Sequence, residues 1–208
     1  MAQLKSTFKN MVISLFGITA VASASLGLVN NMTKDAIAGS ELKLKNEAVA
    51  SVLPDYDKLG TAFKVLPADG GDSLEIYPAL DSSGEIIANA VKTYSNSGYS
   101  GYIEIMVGFD KSGVISGYQV LKHTETPGLG SKMGIWFNDS NKPDQNVIGR
   151  NISEGPLKVK KDGGSVDAIT AATISSRAFL ESVNRAYSAL DKQFDGVSSA
   201  TKQEGEFQ

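Results

Sequence analysis

The 208-residue sequence predicts an α+β fold: an N-terminal transmembrane helix and helical stalk, then a compact domain of antiparallel sheets from duplicated hairpins with packing helices. Three observations predict this fold. An uncharged apolar run lies near the N-terminus, a D-x-S-G turn occurs twice between β-rich segments, and an amphipathic helix pattern follows near the C-terminus. The length suffices for one domain with a core and one additional terminal segment.

The first element is the apolar run at residues 11–29, which we assign to a transmembrane anchor over residues 1–30. No charged side chain lies between Asn10 and Thr33. As a helix the run would reach roughly 28 Å, close to the roughly 30 Å hydrocarbon core of a bilayer. Lysines flank the run on both sides, so the positive-inside rule does not fix its orientation.

A cleaved signal peptide is the alternative interpretation of this segment. Lys5 and Lys9 would form its charged region, and the small residues 22–24 would form its cleavage site. The apolar run continues beyond that site as far as Val29. This continuation favours an uncleaved anchor.

Residues 31–59 are rich in helix formers and are predicted to form a helical stalk that carries the following domain. The helical pattern stops before Pro54, because proline cannot continue a helix. One face of the predicted helix carries the apolar residues Ile37, Leu44, Ala48 and Val52. A helix that binds a partner protein is the alternative interpretation of this face.

The domain is predicted to span residues 60–195 and contains an internal repeat. Residues 80–98 align with residues 109–128, and each copy begins with an aspartate turn, at Asp81 and at Asp110. Each turn joins two β-rich runs, which is typical of a hairpin. The duplication predicts two related antiparallel layers, with a further strand between the two copies.

An amphipathic helix over Ser175–Phe194 ends the predicted domain, and the polar residues 196–208 are predicted to be a disordered tail. Thr173 stands at the entrance of this helix, with Ser175 and Ser176 in its first turn. These hydroxyls could simply cap the helix. The same position also suits a phosphate, because the first turn has unpaired N–H groups and a partial positive charge.

Composition restricts the function that this domain can have. The net charge of −3, from 20 Lys and Arg against 23 Asp and Glu, provides no basic excess, so nucleic acid is not expected as a partner. The absence of cysteine excludes disulfides, thiolate metal sites and cysteine nucleophiles. With His123 as the single histidine, a histidine-rich metal site is excluded too. Redox chemistry would therefore need an organic cofactor.

Two motifs resemble those of a known family. The sequence DAITAAT, residues 167–173, resembles the flavinylation motif D-x-x-[ST]-G-A-[TS], in which a flavin transferase links FMN through its phosphate to the last threonine. Ala171 stands where glycine is usual. The sequence HTETPGLG, residues 123–130, is similar to the H-x-E-T-P-G-x-G segment of FMN-binding domains in the Rnf complex G subunit and in the C subunit of the sodium-pumping NADH:quinone oxidoreductase. The length of the chain favours the Rnf protein.

The resemblance implies a set of cofactor-binding residues, with no catalytic residue and no metal site. Thr173 would carry FMN covalently through the phosphate, and Asp167 would matter in the transferase reaction. The complete implied set is Thr173, Asp167, Thr170, Ala172, Ser175, Ser176, Glu125, Thr126, Leu129, Gly130, His123 and Trp136.

The resemblance also implies a function and a location. The chain would be an electron-carrier subunit of a membrane complex that couples ferredoxin and NAD redox chemistry to ion movement. Its partners would be the other redox subunits and the flavin transferase. The domain would lie on the periplasmic side of the bacterial inner membrane. The alternatives are a C-type subunit of the sodium pump, an anchored scaffold domain without flavin, and a secreted reductase. The sequence shows no second domain that would bind the substrate of such a reductase.

We predict that residues 11–29 remain in the mature protein, because the apolar run outlasts the possible cleavage site. Intact mass and N-terminal sequencing of the protein purified from membranes will check this. A mature chain that begins at Ser25 would contradict the prediction.

Overall fold

The computed structural model describes residues 7–67 and 70–203, with side chains up to Asp191. Helix α1, Phe8–Val52, is one continuous helix of 45 residues. The predicted anchor and stalk are therefore parts of one helix, which ends before Pro54 as expected. This helix is long and apolar enough to cross a membrane. Lys5 of the signal-peptide alternative lies outside the described residues.

The chain divides into two compact units, residues 1–44 and residues 45–208. The first unit is the apolar part of α1, whose large hydrophobic side chains are exposed. The second unit contains the last two turns of α1 and all of the strands. The domain thus begins within the helix, earlier than the predicted boundary at residue 60.

The second unit is built on one antiparallel sheet with the strand order β1-β3-β4-β5-β6, and β2 also pairs with β3. The strands are β1 Lys58–Leu59, β2 Phe63–Val65, β3 Leu74–Leu80, β4 Ile86–Gly98, β5 Gly101–Asp110 and β6 Ile115–His123. The predicted hairpins are confirmed as β3–β4 and β5–β6. In both turns the aspartate accepts hydrogen bonds from the backbone N–H groups two and four residues later, through Oδ1 of Asp81 and of Asp110.

The α+β class is confirmed, but the division of the hairpins into two layers is wrong. β4 pairs with β5 from Ala88↔Asp110 to Gly98↔Gly101, so the two hairpins share one ladder. The physical reason is the tight turn at Tyr99 and Ser100, which folds β5 directly back onto β4. The repeat therefore predicts each hairpin, but it does not predict which strand the hairpin pairs with.

Helices cover both faces of this sheet. Helix α3, Thr173–Gln203, buries Phe179 and Val183 in the core on one face, against a row of buried residues of β5. That row is Ile103, Ile105 and Val107. On the other face the end of α1 packs Val49 and Val52 against small side chains of β3 and β4 and against a methionine of β5.

Helix α3 extends further than predicted. Its backbone is helical through Gln203, whereas the sequence pattern ended the helix at Phe194 and made residues 196–208 disordered. No proline follows Phe194, and Gly196 alone does not stop a helix. Residues 204–208 of the predicted tail lie outside the described residues. Before α3, a 3-10 turn at Gly130–Lys132 leads into the short helix α2, Met133–Trp136.

We predict that Gly108→Ala destabilises the domain by about 2 to 3 kcal/mol, because overpacking a close contact has this cost. A Cβ at Gly108 would lie 2.0 Å from the carbonyl oxygen of Val52, which already accepts a hydrogen bond from Ser116. Urea unfolding of the full chain in detergent, followed by circular dichroism, will measure the change.

Gly134→Ala is the matched control for this substitution. Its Cβ would have no heavy atom within 4 Å, and the residue lies in α2. The urea midpoint of Gly134→Ala should stay the same as that of the wild type or rise, because alanine favours a helix more than glycine does. Equal midpoints for the two variants would contradict the close packing of α1 on the sheet.

Candidate functional site

A cavity of about 540 Å³ opens where three segments of the domain meet. These segments are the β4–β5 turn, the chain that follows β6, and the start of α3. The volume lies within the range of about 300 to 1,000 Å³ that small-molecule sites occupy. The cavity is lined by Tyr99, Glu125, Thr126, Leu129, Gly130, Ala171, Ala172, Thr173, Ile174 and Ser175.

The carboxylate of Glu125 joins the three segments. Its Oε2 accepts a hydrogen bond of 2.6 Å from the hydroxyl of Ser175, and its Oε1 accepts one of 3.1 Å from the N–H of Ser100. The Glu125 N–H donates to Nδ1 of His123 at 3.2 Å. Glu125 is only 4% exposed, so both carboxylate oxygens depend on protein donors.

Two glycines make room for this carboxylate. A Cβ at Gly130 would lie 2.5 Å from Oε2 of Glu125 and 2.5 Å from the hydroxyl of Ser175. A Cβ at Gly98 would lie 2.5 Å from Oε1 of the same carboxylate. Glycine is needed at both positions because backbone and carboxylate approach each other so closely.

The start of α3 leaves the Thr173 hydroxyl available. Within the described residues, Oγ1 of Thr173 forms no hydrogen bond. Ser176 instead bridges the backbone before the helix, because its hydroxyl accepts from the Ile169 N–H at 2.9 Å and donates to the Ala172 carbonyl at 3.0 Å. Thr173 is half-buried at the cavity and does not cap the helix.

The first turn of α3 also offers backbone donors. Within the described part of the chain, the N–H groups of Thr173, Ile174 and Ser175 have no acceptor, as expected for a helix start. These groups carry the positive end of the helix dipole. The lining contains no Lys or Arg. An anionic group at Thr173 would therefore be bound by backbone dipoles and not by a cationic side chain.

The structure brings together most, but not all, of the residues that the sequence analysis assigned to the site. Seven of them line the cavity: Glu125, Thr126, Leu129, Gly130, Ala172, Thr173 and Ser175. Ser176 and His123 lie behind the lining and hold its backbone. Thr170 is exposed and does not line the cavity.

Asp167 and Trp136 form a separate cluster beside the cavity. The Trp136 indole N–H donates to the Asp167 carbonyl at 3.0 Å, and the Asp167 carboxylate lies 3.0 Å from Nζ of Lys160. Lys160 also binds Asp144 at 2.6 Å. Hydrogen bonds to Asp144 and then to Asp167 raise the pKa of Lys160 above its ordinary value. This cluster fixes the chain that leads to Thr173, and its side chains do not line the cavity.

Three lining residues were missed by the sequence analysis as site residues. Tyr99 comes from the β4–β5 turn, which carries no motif of its own, and only the fold brings it to the cavity. Ile174 is 47% exposed, and a large apolar side chain between two motif hydroxyls was an available signal. Ala171 was noted only for replacing a glycine.

Ala171 is the one non-glycine residue with a positive φ, 60°, in the described part of the chain. An L-residue in this conformation costs about 1 to 2 kcal/mol. We predict that Ala171→Gly raises the free energy of unfolding by about 0.5 to 1 kcal/mol, the released strain less the added entropy of the unfolded chain. Urea unfolding will measure it.

Ala62→Gly is the control for this prediction, because Ala62 is exposed, lies outside the strands and has no positive φ. It should lower stability by up to about 1 kcal/mol, since only the unfolded-state entropy changes. A loss of stability in both variants would show that Ala171 is not strained.

Comparisons with known proteins agree with this site. The FMN-binding domain family matches residues 98–188, which include the β4–β5 turn and the start of α3. A crystal structure of NqrC from Shewanella oneidensis gives a TM-score of 0.49 at 18% identity and covers 65% of this chain and 69% of its own.

Two curated relatives match over most of the chain. The G subunit of the ion-translocating oxidoreductase complex of Shewanella amazonensis is 35% identical over 194 residues, 87% of this chain and 86% of its own. The G subunit of the Na⁺-translocating ferredoxin:NAD⁺ oxidoreductase complex of Acetobacterium woodii is 34% identical over 196 residues, 86% of this chain and 89% of its own. The chain therefore belongs to the family of G subunits of ion-translocating oxidoreductase complexes.

Proposed function

We propose that the chain carries FMN, attached through the phosphate to Thr173, and serves as an electron-carrier subunit of an Rnf-type membrane complex. Such a complex couples ferredoxin and NAD redox chemistry to ion translocation. The observation that carries the attachment site is the Thr173 hydroxyl, which faces the cavity without a hydrogen-bond partner in the described chain. The membership in the G-subunit family supports the role in a complex.

The residues present fit a flavin nucleotide. The free N–H groups of the first turn of α3 suit its phosphate, as helix starts do generally. Leu129 and Ile174, which are 39% and 47% exposed, give apolar surface for a flat ring at the cavity. Bound FMN would supply reversible electron transfer, and the protein would hold it and adjust its electronics.

The attachment needs a nucleophile and a leaving group. The Thr173 oxygen would attack the phosphorus of the FMN half of FAD, so that an oxygen–phosphorus bond forms and the pyrophosphate bond breaks. AMP leaves, and the hydroxyl proton passes to a base of the flavin transferase. Asp167 is partly exposed near this position and offers the transferase a carboxylate to recognise.

The helix and the family support a location in the membrane. Residues of α1 provide one candidate span. The resemblance to the Rnf proteins supports a bacterial inner membrane and a domain on the periplasmic side, where covalent attachment would prevent loss of FMN. A C-type subunit of the sodium pump is the alternative that the resemblance of the motifs leaves open.

We predict that Thr173→Val abolishes flavin attachment, because valine has nearly the same shape and no hydroxyl. Thr173→Ser should retain attachment in part. The wild type and both variants are co-expressed with the transferase. Intact mass and in-gel fluorescence of the denatured proteins then measure bound flavin. A covalent flavin in the valine variant, or none in the wild type, would refute the assignment.

Thr126→Val is the matched control, because Thr126 lines the same cavity and undergoes the same change. It should keep full covalent flavin. If both valine variants lost the flavin equally, the effect would lie in the cavity and not in the Thr173 nucleophile. A colourless wild-type protein would favour the anchored scaffold domain without flavin.

We predict that Leu129→Ala leaves the flavin attached but changes its fluorescence or its redox potential, because apolar contact with the ring is lost. Leu66→Ala removes a similar side chain that is 72% exposed and outside the cavity lining, and should change neither property. Identical spectra and redox potentials in the wild type and Leu129→Ala would show that the turn around Leu129 does not contact the flavin ring.

A further inference from the structure

Glu125 differs in its surroundings from the other carboxylates of the domain. It is the one charged side chain among the buried residues that the structure describes. Ion pairs with lysine or arginine hold carboxylates elsewhere, as at Glu75, Glu104 and Asp162. Glu125 has no such cation within ion-pair distance in the described chain. A buried carboxylate without a cation is costly and is often functional.

The carboxylate is stabilised by neutral donors alone. These are the Ser175 hydroxyl and the Ser100 N–H. Gly130 and Gly98 lie against its two oxygens, where any larger residue would clash with the carboxylate. The charge is therefore fixed at the wall of the cavity that Thr173 shares.

An electron on the attached cofactor would add negative charge to a cavity that already holds the Glu125 carboxylate and the proposed phosphate at Thr173. The lining offers no Lys or Arg to compensate it. Two like charges a few ångströms apart in a partly buried site repel each other strongly, and protonation of one of them removes the conflict. Glu125 is the acidic residue of the lining that can bind this proton.

We propose that Glu125 is a proton-accepting residue, which binds a proton from solvent when an electron enters the cavity and releases it when the electron leaves. The inference rests on the proposed function, because the electron arrives from a redox subunit of the complex and resides on the cofactor attached at Thr173. One O–H bond forms on the Glu125 carboxylate for each proton bound, and it breaks when the electron passes to the acceptor subunit.

The other titratable groups near Glu125 are accounted for by the structure. His123 at the end of β6 accepts the Glu125 N–H at Nδ1, and Tyr99 lines the cavity from the β4–β5 turn. Lys132 in the turn after Gly130 is exposed, and Arg177 in α3 forms a bidentate ion pair with a carboxylate of the preceding loop. Neither of these two cations lines the cavity.

Infrared difference spectroscopy of the flavinylated full chain tests the proposal directly. Reduction with dithionite should produce the C=O stretching band of a protonated carboxyl in the wild type. This band should be absent in Glu125→Gln, which keeps a hydrogen-bonding side chain of the same size, and present in Glu154→Gln, which changes an exposed carboxylate outside the cavity. A wild-type protein without the band overturns the proposal.

Redox titration over a range of pH gives an independent readout. The slope of the redox potential against pH reports the protons bound per electron. This slope should fall in Glu125→Gln by the equivalent of up to one proton per electron, and it should stay unchanged in Glu154→Gln. Equal pH dependence in the wild type and Glu125→Gln overturns the proposal.

The outcomes separate this inference from the proposed function. Flavin content is measured first, on denatured protein. A chain without flavin overturns both proposals. A flavinylated chain without the carboxyl band overturns the role of Glu125 alone. If Glu125→Gln fails to fold, the infrared difference spectrum of the wild type still decides, because a missing carboxyl band overturns the role of Glu125.

Discussion

The hydrogen-bonded carboxylate of Glu125 is the interaction on which the site depends. Its two oxygens bind donors that lie 25 and 50 residues away in the sequence. A buried carboxylate is expensive unless its oxygens are satisfied, so each of the three segments is held in place by the others. The cavity exists because these segments meet around one buried group.

The sheet decides where α3 begins. Phe179 and Val183 anchor the helix in the core against the inward row of β5, so that its first turn reaches the β4–β5 turn. On the other face, Gly108 lets the end of α1 approach the sheet closely. Close packing on both sides makes the sheet a rigid support, and a rigid support holds a cofactor site more precisely than loops alone.

The start of α3 combines strain with free hydrogen-bonding groups. Ala171 adopts a left-handed conformation, and the hydroxyl of Ser176 bridges the backbone on either side of it. Strained conformations persist where the surrounding structure holds them, and they occur often at functional sites. Here the strained step turns the chain so that Thr173 faces the cavity, while Ser176 and not Thr173 satisfies the backbone.

The sequence by itself determined the features that depend on local patterns. An uncharged run long enough to span a membrane predicts α1. Each hairpin turn is predicted by an aspartate whose side chain can accept a hydrogen bond from the backbone N–H two residues later. The two motifs predict the chemistry that we propose at Thr173. Only the tertiary structure decided that the hairpins share one sheet, that Asp167 and Trp136 turn away from the cavity lining, and that Tyr99 joins it. Such outcomes depend on contacts between residues far apart in the chain, which no local pattern encodes.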